Sequence, residues 1–243
     1  MKNSLKFLTA AGLLLLGSLT AYNAALRNEY RLGAYKNPVL NYDLQSQRNF
    51  RTVHLPGAGL LSARIEEGPF GVYVSKEAAD FVRITQEGTE LTVALNFAEE
   101  VKFKGGGNAV IIRCPRLDVL TASTTYVVNG RVEKKLPQHY PNFAMLVVQG
   151  FTQDSMRLVQ DGTARVVLVN NHLGHLRASV GQSPGSTAQL DLNSSNTLAS
   201  TDIRVDKRGK LNAENVALPK LRWQFGDSAQ VTMSGAALAS LAR

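Results

Sequence analysis

Four quartets in the C-terminal part of the chain share one pattern: Thr163-Ala164-Arg165-Val166, Thr187-Ala188-Gln189-Leu190, Arg208-Gly209-Lys210-Leu211 and Ser228-Ala229-Gln230-Val231. Each reads polar, small, polar, aliphatic, and their starts lie 24, 21 and 20 residues apart. A second element recurs with them. Leu173-x-x-Leu176-x-x-x-x-Gly181 and Leu218-x-x-Leu221-x-x-x-x-Gly226 have one spacing and each begins ten residues after its quartet; Leu198 stands close to the same place in the unit between. A unit of this size cannot bury its own apolar side. It becomes stable by stacking on its neighbours, which close its backbone hydrogen bonds at about 4.8 Å and extend one core. The period therefore predicts a single-stranded β-solenoid, a β-helix-like coil of short strands, with Val166, Leu190, Leu211 and Val231 in one interior column. The small second residue of each quartet would sit where the coil turns tightly. An ordinary β-sandwich also places strands every 8–12 residues; the matched spacing favours the coil.

The region before the repeat is also all-β. Short alternating runs follow one another at Val53/Leu55, Ala63/Ile65, Val72/Val74, Val82/Ile84, Leu91/Val93/Leu95 and Val110/Ile112, punctuated by Gly57, Gly68, Gly88 and Gly105–Gly107. Alternation with glycine between runs is the pattern of half-buried strands and hairpins. Ser75–Arg83 is the one stretch here suited to a helical turn. Trp223, between Leu221 and Phe225, is expected to alternate into the core.

The N-terminus differs. Phe7–Leu26 is twenty residues without a charge, preceded by Lys2 and Lys6. As a helix it spans about 30 Å, the depth of a bilayer core. Two readings stay open, a cleaved export signal and an uncleaved anchor; the apolar run beyond Ala21 and the lack of a clean small-x-small site favour the anchor. The expected organisation is a signal or anchor helix at 1–26, a stalk at 27–49, a β-solenoid domain at 50–235 and a tail at 236–243. The hairpins of 50–100 would cover one end of the coil and Gly235–Arg243 the other.

The formal charge of +8 does not mark a nucleic-acid protein. Half of it lies in residues 1–36, which carry five basic residues and one acidic; the remaining 22 basic and 18 acidic residues form no stripe. No nucleic-acid partner is expected. Cys114 is the single cysteine, so no intrachain disulfide can form, and "AVIIRCP" reads as a buried strand end.

The order Phe50-x-x-Val53, "PGAG", Ile65-x-Glu67-Gly68, Val72-x-Val74, Val82-x-Ile84, Glu87-Gly88-Thr89-Glu90-Leu91-x-Val93 and "VIIRCPRLDVLTAS" resembles the GIN domain, a family of candidate auto-transporter adhesin heads of bacterial envelopes. The resemblance spans about 50–235. It implies an exported β-solenoid with an adhesin-like role. The chain departs from the family in its turns, "NNHLG", "GQSPGS" and "NSSN", and in an insertion-like stretch, Gly130–Phe143.

Chemistry is sparse. His172-x-x-His175 has ligand-like spacing without a nearby cysteine, and reads as a polar turn. There is no nucleophile elbow and no phosphate loop; Gly105–Gly107, behind Lys102 and Lys104, precedes a strand and reads as a hairpin tip. Glu66-Glu67 and Glu99-Glu100 are neighbours that a strand points to opposite faces. Lys207, Arg208 and Lys210 with Asp202 and Asp206 come nearest to a polysaccharide-lyase cluster, but they fall around a turn. No catalytic residue, metal or cofactor is expected. Tyr140 and Phe143, with Phe151 after them, mark a loop whose rings could meet a partner, if they do not pack back onto the coil. The sequence thus points to a non-enzymatic, envelope-anchored, adhesin-like or scaffolding protein that binds extended polymers or protein partners and meets the membrane through Phe7–Leu26. The second reading is a periplasmic glycan- or partner-binding module without adhesion. The third is a lyase-like enzyme.

Overall fold

The computed structural model describes residues 2–33, 37–99, 107–137 and 144–242, and the chain divides into two compact units, 1–41 and 42–243. In the first, helix α1 runs Lys2–Leu32. Its span Asn3–Arg31 is long and apolar enough to cross a membrane, the mean hydropathy reaching 1.5 over an 18-residue window. The hydroxyls of Thr9, Ser18 and Thr20 donate to the carbonyls of Leu5, Leu15 and Leu16 at 2.9, 2.9 and 2.8 Å. These donors are thereby satisfied inside the helix, as a lipid environment requires.

The second unit is built from strands. Its N-terminal part holds β1 Tyr42–Gln45, β2 Thr52–Leu55, β3 Ala63–Glu67, β4 Gly71–Ser75, β5 Val82–Glu87, β6 Glu90–Phe97, β7 Val110–Cys114, β8 Val119–Ala122, β9 Tyr126–Val128 and β10 Arg131–Glu133. The C-terminal part holds β11 Leu146–Gln149, β12 Thr152–Gln160, β13 Arg165–Val169, β14 His172–Val180, β15 Gln189–Leu192, β16 Thr197–Leu198, β17 Thr201–Val205, β18 Lys210–Glu214, β19 Leu221–Phe225 and β20 Gln230–Ser234. A four-residue helix, α2 Ala236–Ala239, and a 3-10 turn end the described chain.

These strands form two sheets of mixed direction. One has the order β1-β4-β7-β3-β11-β13-β15-β18-β20; the other has β10-β9-β6-β2-β8-β12-β14-β17-β19, with β5 beside β6 and β16 beside β14. The antiparallel pairs β1–β4, β4–β7, β5–β6 and β9–β10 fall in the N-terminal part. From β11 onward every described pairing is parallel, and successive strands pass from one sheet to the other, with β16 and β17 both in the second.

The quartets fall in register. Val166 pairs with Leu190, Leu190 with Leu211, and Leu211 with Val231. The first three are fully buried, each worth about 1.5–3 kcal/mol of apolar burial, whereas Val231 is half-buried. Leu173 likewise pairs with Leu198. Inner rows of both sheets join one apolar core. At one corner Gly150, Asn170 and Asn215 take φ of +82°, +54° and +47°, conformations that Gly and Asn tolerate best. Behind two of these turns, buried Phe151 and Asn171 stack: the Phe151 N–H donates to Asn171 Oδ1 at 3.1 Å.

Several expectations are corrected. The stalk at 27–49 is helical to Leu32 and contributes β1, which pairs with β4 through Tyr42↔Ser75 to Gln45↔Val72. The start of the insertion-like stretch is a hairpin. Asn129 and Gly130 both have positive φ, +49° and +72°, and set Val128 opposite Arg131, as a two-residue type I′ turn does. Ser75–Arg83, by contrast, does contain the single helical turn expected of it, with the Val82 N–H donating to the Ala78 carbonyl at 2.9 Å. Trp223 is 56% exposed. Its row, Leu158–Ala178–Ile203–Trp223, is buried up to Ile203 at 2%. Alternation does point Trp223 along the inner row, but β19 ends its sheet, so among the described residues no further strand covers the ring. The tail covers this end only in part: α2 buries Ala237 against the core and leaves Leu238 and Leu241 exposed.

Candidate functional site

The residues singled out from the sequence do not assemble into one site. Tyr140 and Phe143, the candidate partner-contact loop, lie outside the described residues, as do His139, Lys102, Lys104, Gly105 and Gly106. Phe151 is fully buried. Lys207 and Arg208 lie on a turn, with Lys207 at φ +53°, and Lys210 belongs to the first sheet while Asp202 belongs to the second. Glu66 is taken up by Arg113 Nε at 2.6 Å and by Gln149 Nε2 at 3.1 Å. Asp191 accepts from Arg165 Nε, Gln189 Nε2 and Asn212 Nδ2 at 2.7, 2.8 and 2.7 Å. Both carboxylates hold neighbouring strands together. Burial pushes the Cys114 thiol up to about 12. Among the described residues no cluster of three His, Cys, Asp or Glu side chains could hold a metal.

A different group does come together, on the outer face of β14, β17 and β19. The parallel register sets Arg177 beside Asp202 and Asp202 beside Arg222. Arg177 Nη2 is 3.7 Å from Asp202 Oδ2, and Arg222 Nε is 3.9 Å from Oδ1. At these lengths neither arginine is tightly bound, and both are largely exposed. On the next outward row Arg204 Nε donates to Asp206 Oδ2 at 2.6 Å. A shallow cleft of about 280 Å³ lies over Arg177, Ser179, Asp202, Arg204, Arg222 and Trp223. At its rim Trp223 stacks on Phe225, with ring centroids 4.8 Å apart and planes at 21°. The three guanidinium groups of the outer face suit negative charge, and the exposed indole on the inner row of the same edge strand offers apolar area.

The same face brings Ser200, His175 and Asp202 together, a juxtaposition that the sequence, with 25 residues between Ser200 and His175, does not suggest. His175 Nδ1 is 2.8 Å from Ser200 Oγ, and Nε2 is 3.4 Å from Asp202 Oδ2. Ser200 Oγ donates to the Gly174 carbonyl at 3.0 Å. The hydroxyl proton is therefore turned to the main chain and not to the imidazole. A poised nucleophile would give its proton to the imidazole. The triad of side chains ties β14 to β17.

No family model matches the chain, and no curated protein matches it. Among solved structures, it is similar to a candidate adhesin of Parabacteroides merdae, at 12% identity and a TM-score of 0.34, over 79% of this chain and 95% of that one. It is similar also to a candidate lipid-binding protein of Parabacteroides distasonis, at 9% identity and a TM-score of 0.33, over 80% and 94%. A candidate adhesin of Parabacteroides distasonis matches at 10% identity and a TM-score of 0.31, over 79% and 96%.

Proposed function

We propose that this chain is a non-catalytic binding protein of the cell envelope, held at or exported across the inner membrane by α1, and that its C-terminal strands form a β-solenoid whose last strands meet an extended polymer or a protein partner. The membrane-length α1 supports the address. The coil is supported by strands that change sheet at nearly every step while keeping parallel, in-register neighbours; a sandwich shares the two layers but has no need of that order. The kinship to GIN domains, and with it the adhesin role, belongs to this proposal and rests on the motif order in 50–123.

One observation carries the binding role. Trp223 stands exposed on a row that is otherwise buried, on the same edge strand that carries Arg222 on its other face. A large aromatic left open next to unsaturated arginines is the composition of an interaction hot spot. Trp223 is the only tryptophan, so its emission reports occupancy of this surface directly. Full-length protein in detergent is titrated with solubilised envelope fractions. A blue shift of the emission, together with material retained by the wild type and released by Trp223→Ala, is the expected result. Unchanged emission and retention indifferent to Trp223 would overturn it. Protease treatment of intact cells then separates surface display, where the domain is digested, from a periplasmic module, where it is protected.

A further inference from the structure

The structure also points to the kind of partner. β19 and β20 are the last strands of their two sheets, so both sheets end on the same pair of consecutive strands. On β19 the Gly226 N–H, just beyond the strand, goes to the Val205 carbonyl of β17 at 2.8 Å. Alternation along the strand then aims the N–H groups of Leu221, Trp223 and Phe225 the other way, toward the free edge. Exposed parallel edges of this kind accept an added strand.

The side chains say what such a strand must carry. The inner positions of β19, Leu221, Trp223 and Phe225, are apolar and only partly covered. The outer row reads Arg157, Arg177, Asp202, Arg222, so that its single carboxylate lies between two arginines and Arg222 has an acidic neighbour on one side only. The next place in that row faces Arg222, which is 86% exposed at the side chain. A carboxylate at that place would give Arg222 a partner on its open side, where a cation would repel it. We infer that β19 is a docking edge for an extended protein segment that adds in parallel, with apolar residues over Leu221, Trp223 and Phe225 and an Asp or Glu opposite Arg222. This rests on the binding role proposed above and specifies its ligand. A second copy of the chain fits less well. Head-to-head pairing would bring two sets of Arg177, Arg204, Lys220 and Arg222 against one another.

The chain contains a segment close to the required pattern, with Thr201 at the first inner place and Ile203 and Val205 at the others. β17, Thr201-Asp202-Ile203-Arg204-Val205, already pairs in parallel with the other side of β19, with Asp202 at Arg222. A labelled peptide of sequence 199–206 is therefore the probe, measured by fluorescence anisotropy against the full-length protein in detergent. Expected are saturable binding, about tenfold weakening when the peptide carries Asp202→Lys, and loss when its Arg204 amide is N-methylated, which removes a donor aimed at β19 and keeps the charge. Protein bearing Arg222→Glu should prefer the Asp202→Lys peptide over the parent. A measurement on unmodified protein stands apart from any folding defect of that variant: the amides of Trp223 and Phe225 should gain protection from hydrogen exchange when the peptide binds. No binding at millimolar peptide, binding indifferent to both peptide changes, or unchanged protection of these amides would overturn strand addition. So would reversible pairing of two copies through β19, seen by sedimentation of the protein alone. If the peptide fails while Trp223 emission still responds to envelope material, only the identity of the ligand falls; if both are silent, the binding role falls with it.

Discussion

The side-chain oxygen of Asn196 accepts two hydrogen bonds from Asn171, one from its backbone N–H at 3.1 Å and one from its carboxamide at 3.0 Å. Asn171 passes the pattern on, donating to the Val148 carbonyl at 3.0 Å and accepting from the Phe151 N–H, while Asn196 donates to the Leu168 carbonyl at 2.7 Å. Both side chains are buried. The corner's backbone groups thus find partners out of reach of water. Asn171→Ala should leave buried donors and acceptors unpaired at about 1–3 kcal/mol each. Thermal melting should show a fall of several degrees, at about 2–4 °C per kcal/mol for a chain of this size. An unchanged melting temperature would refute the role.

Trp223 and Ile203 test the difference between the open and closed ends of one row. Ile203→Ala should cost about 2–5 kcal/mol, as expected for a buried aliphatic. Trp223→Ala should cost about 1 kcal/mol, chiefly the lost stacking on Phe225. Urea unfolding of the two variants decides. A larger loss for Trp223→Ala would mean that the ring is a core residue.

Asp161 gives an acid-side prediction. Burial alone would raise its carboxyl; the Ser183 hydroxyl, the Ser183 N–H at 3.0 Å, and the groups of Gly162 and Ser186 outweigh that and hold it below the ordinary carboxylate range. Since the folded-state value lies below the unfolded one, the contribution to stability is present above the unfolded value and is lost as pH falls through the folded one. Asp161→Asn should flatten the fall of the urea midpoint below pH 4. A wild-type slope retained in the variant would exclude this carboxylate.

Cys114 gives the opposite sign. With its thiol raised to about 12 by burial, it should resist thiol reagents in the native protein at pH 8 and react only on unfolding. Stability should decline above about pH 9, where the unfolded chain releases a proton that the native one keeps. Prompt labelling of the folded protein would contradict this.

Cutting at 37 and at 50 separates the roles of α1 and β1. A 37–243 fragment should melt like the full chain yet partition away from detergent. A 50–243 fragment should melt lower, since it lacks the β1–β4 pairing and the hydrogen bond from Tyr42 Oη to the Asn108 carbonyl at 2.7 Å. Equal melting of the two fragments would show β1 to be dispensable.

The all-β character and the in-register aliphatic row were legible in the sequence because small–polar–aliphatic quartets recur where the strands stack. Leu173 and Leu198 were aligned for the same reason. Other features depend on where a strand lies, which local pattern does not carry. Trp223 alternates correctly yet is open because β19 is an edge. β1, "YDLQ", has no period of its own and is held by β4. The Arg177–Asp202–Arg222 row and the Ser200–His175 contact join residues 20–25 apart whose outward positions look like ordinary solvated polar sites. The Asn129-Gly130 hairpin did have a signal, the dipeptide itself, which the insertion-like context obscured.

The in-register rows also bear on how the domain comes apart. From Val166 on, each paired residue reaches back only 20–25 positions along the chain. Mechanical load on the C-terminus would then peel the last strands without disturbing the earlier ones, in a graded series of openings. Fraying would begin where the proposed docking edge lies, and an occupant seated on β19 would act as a clasp, raising the force needed to begin unzipping.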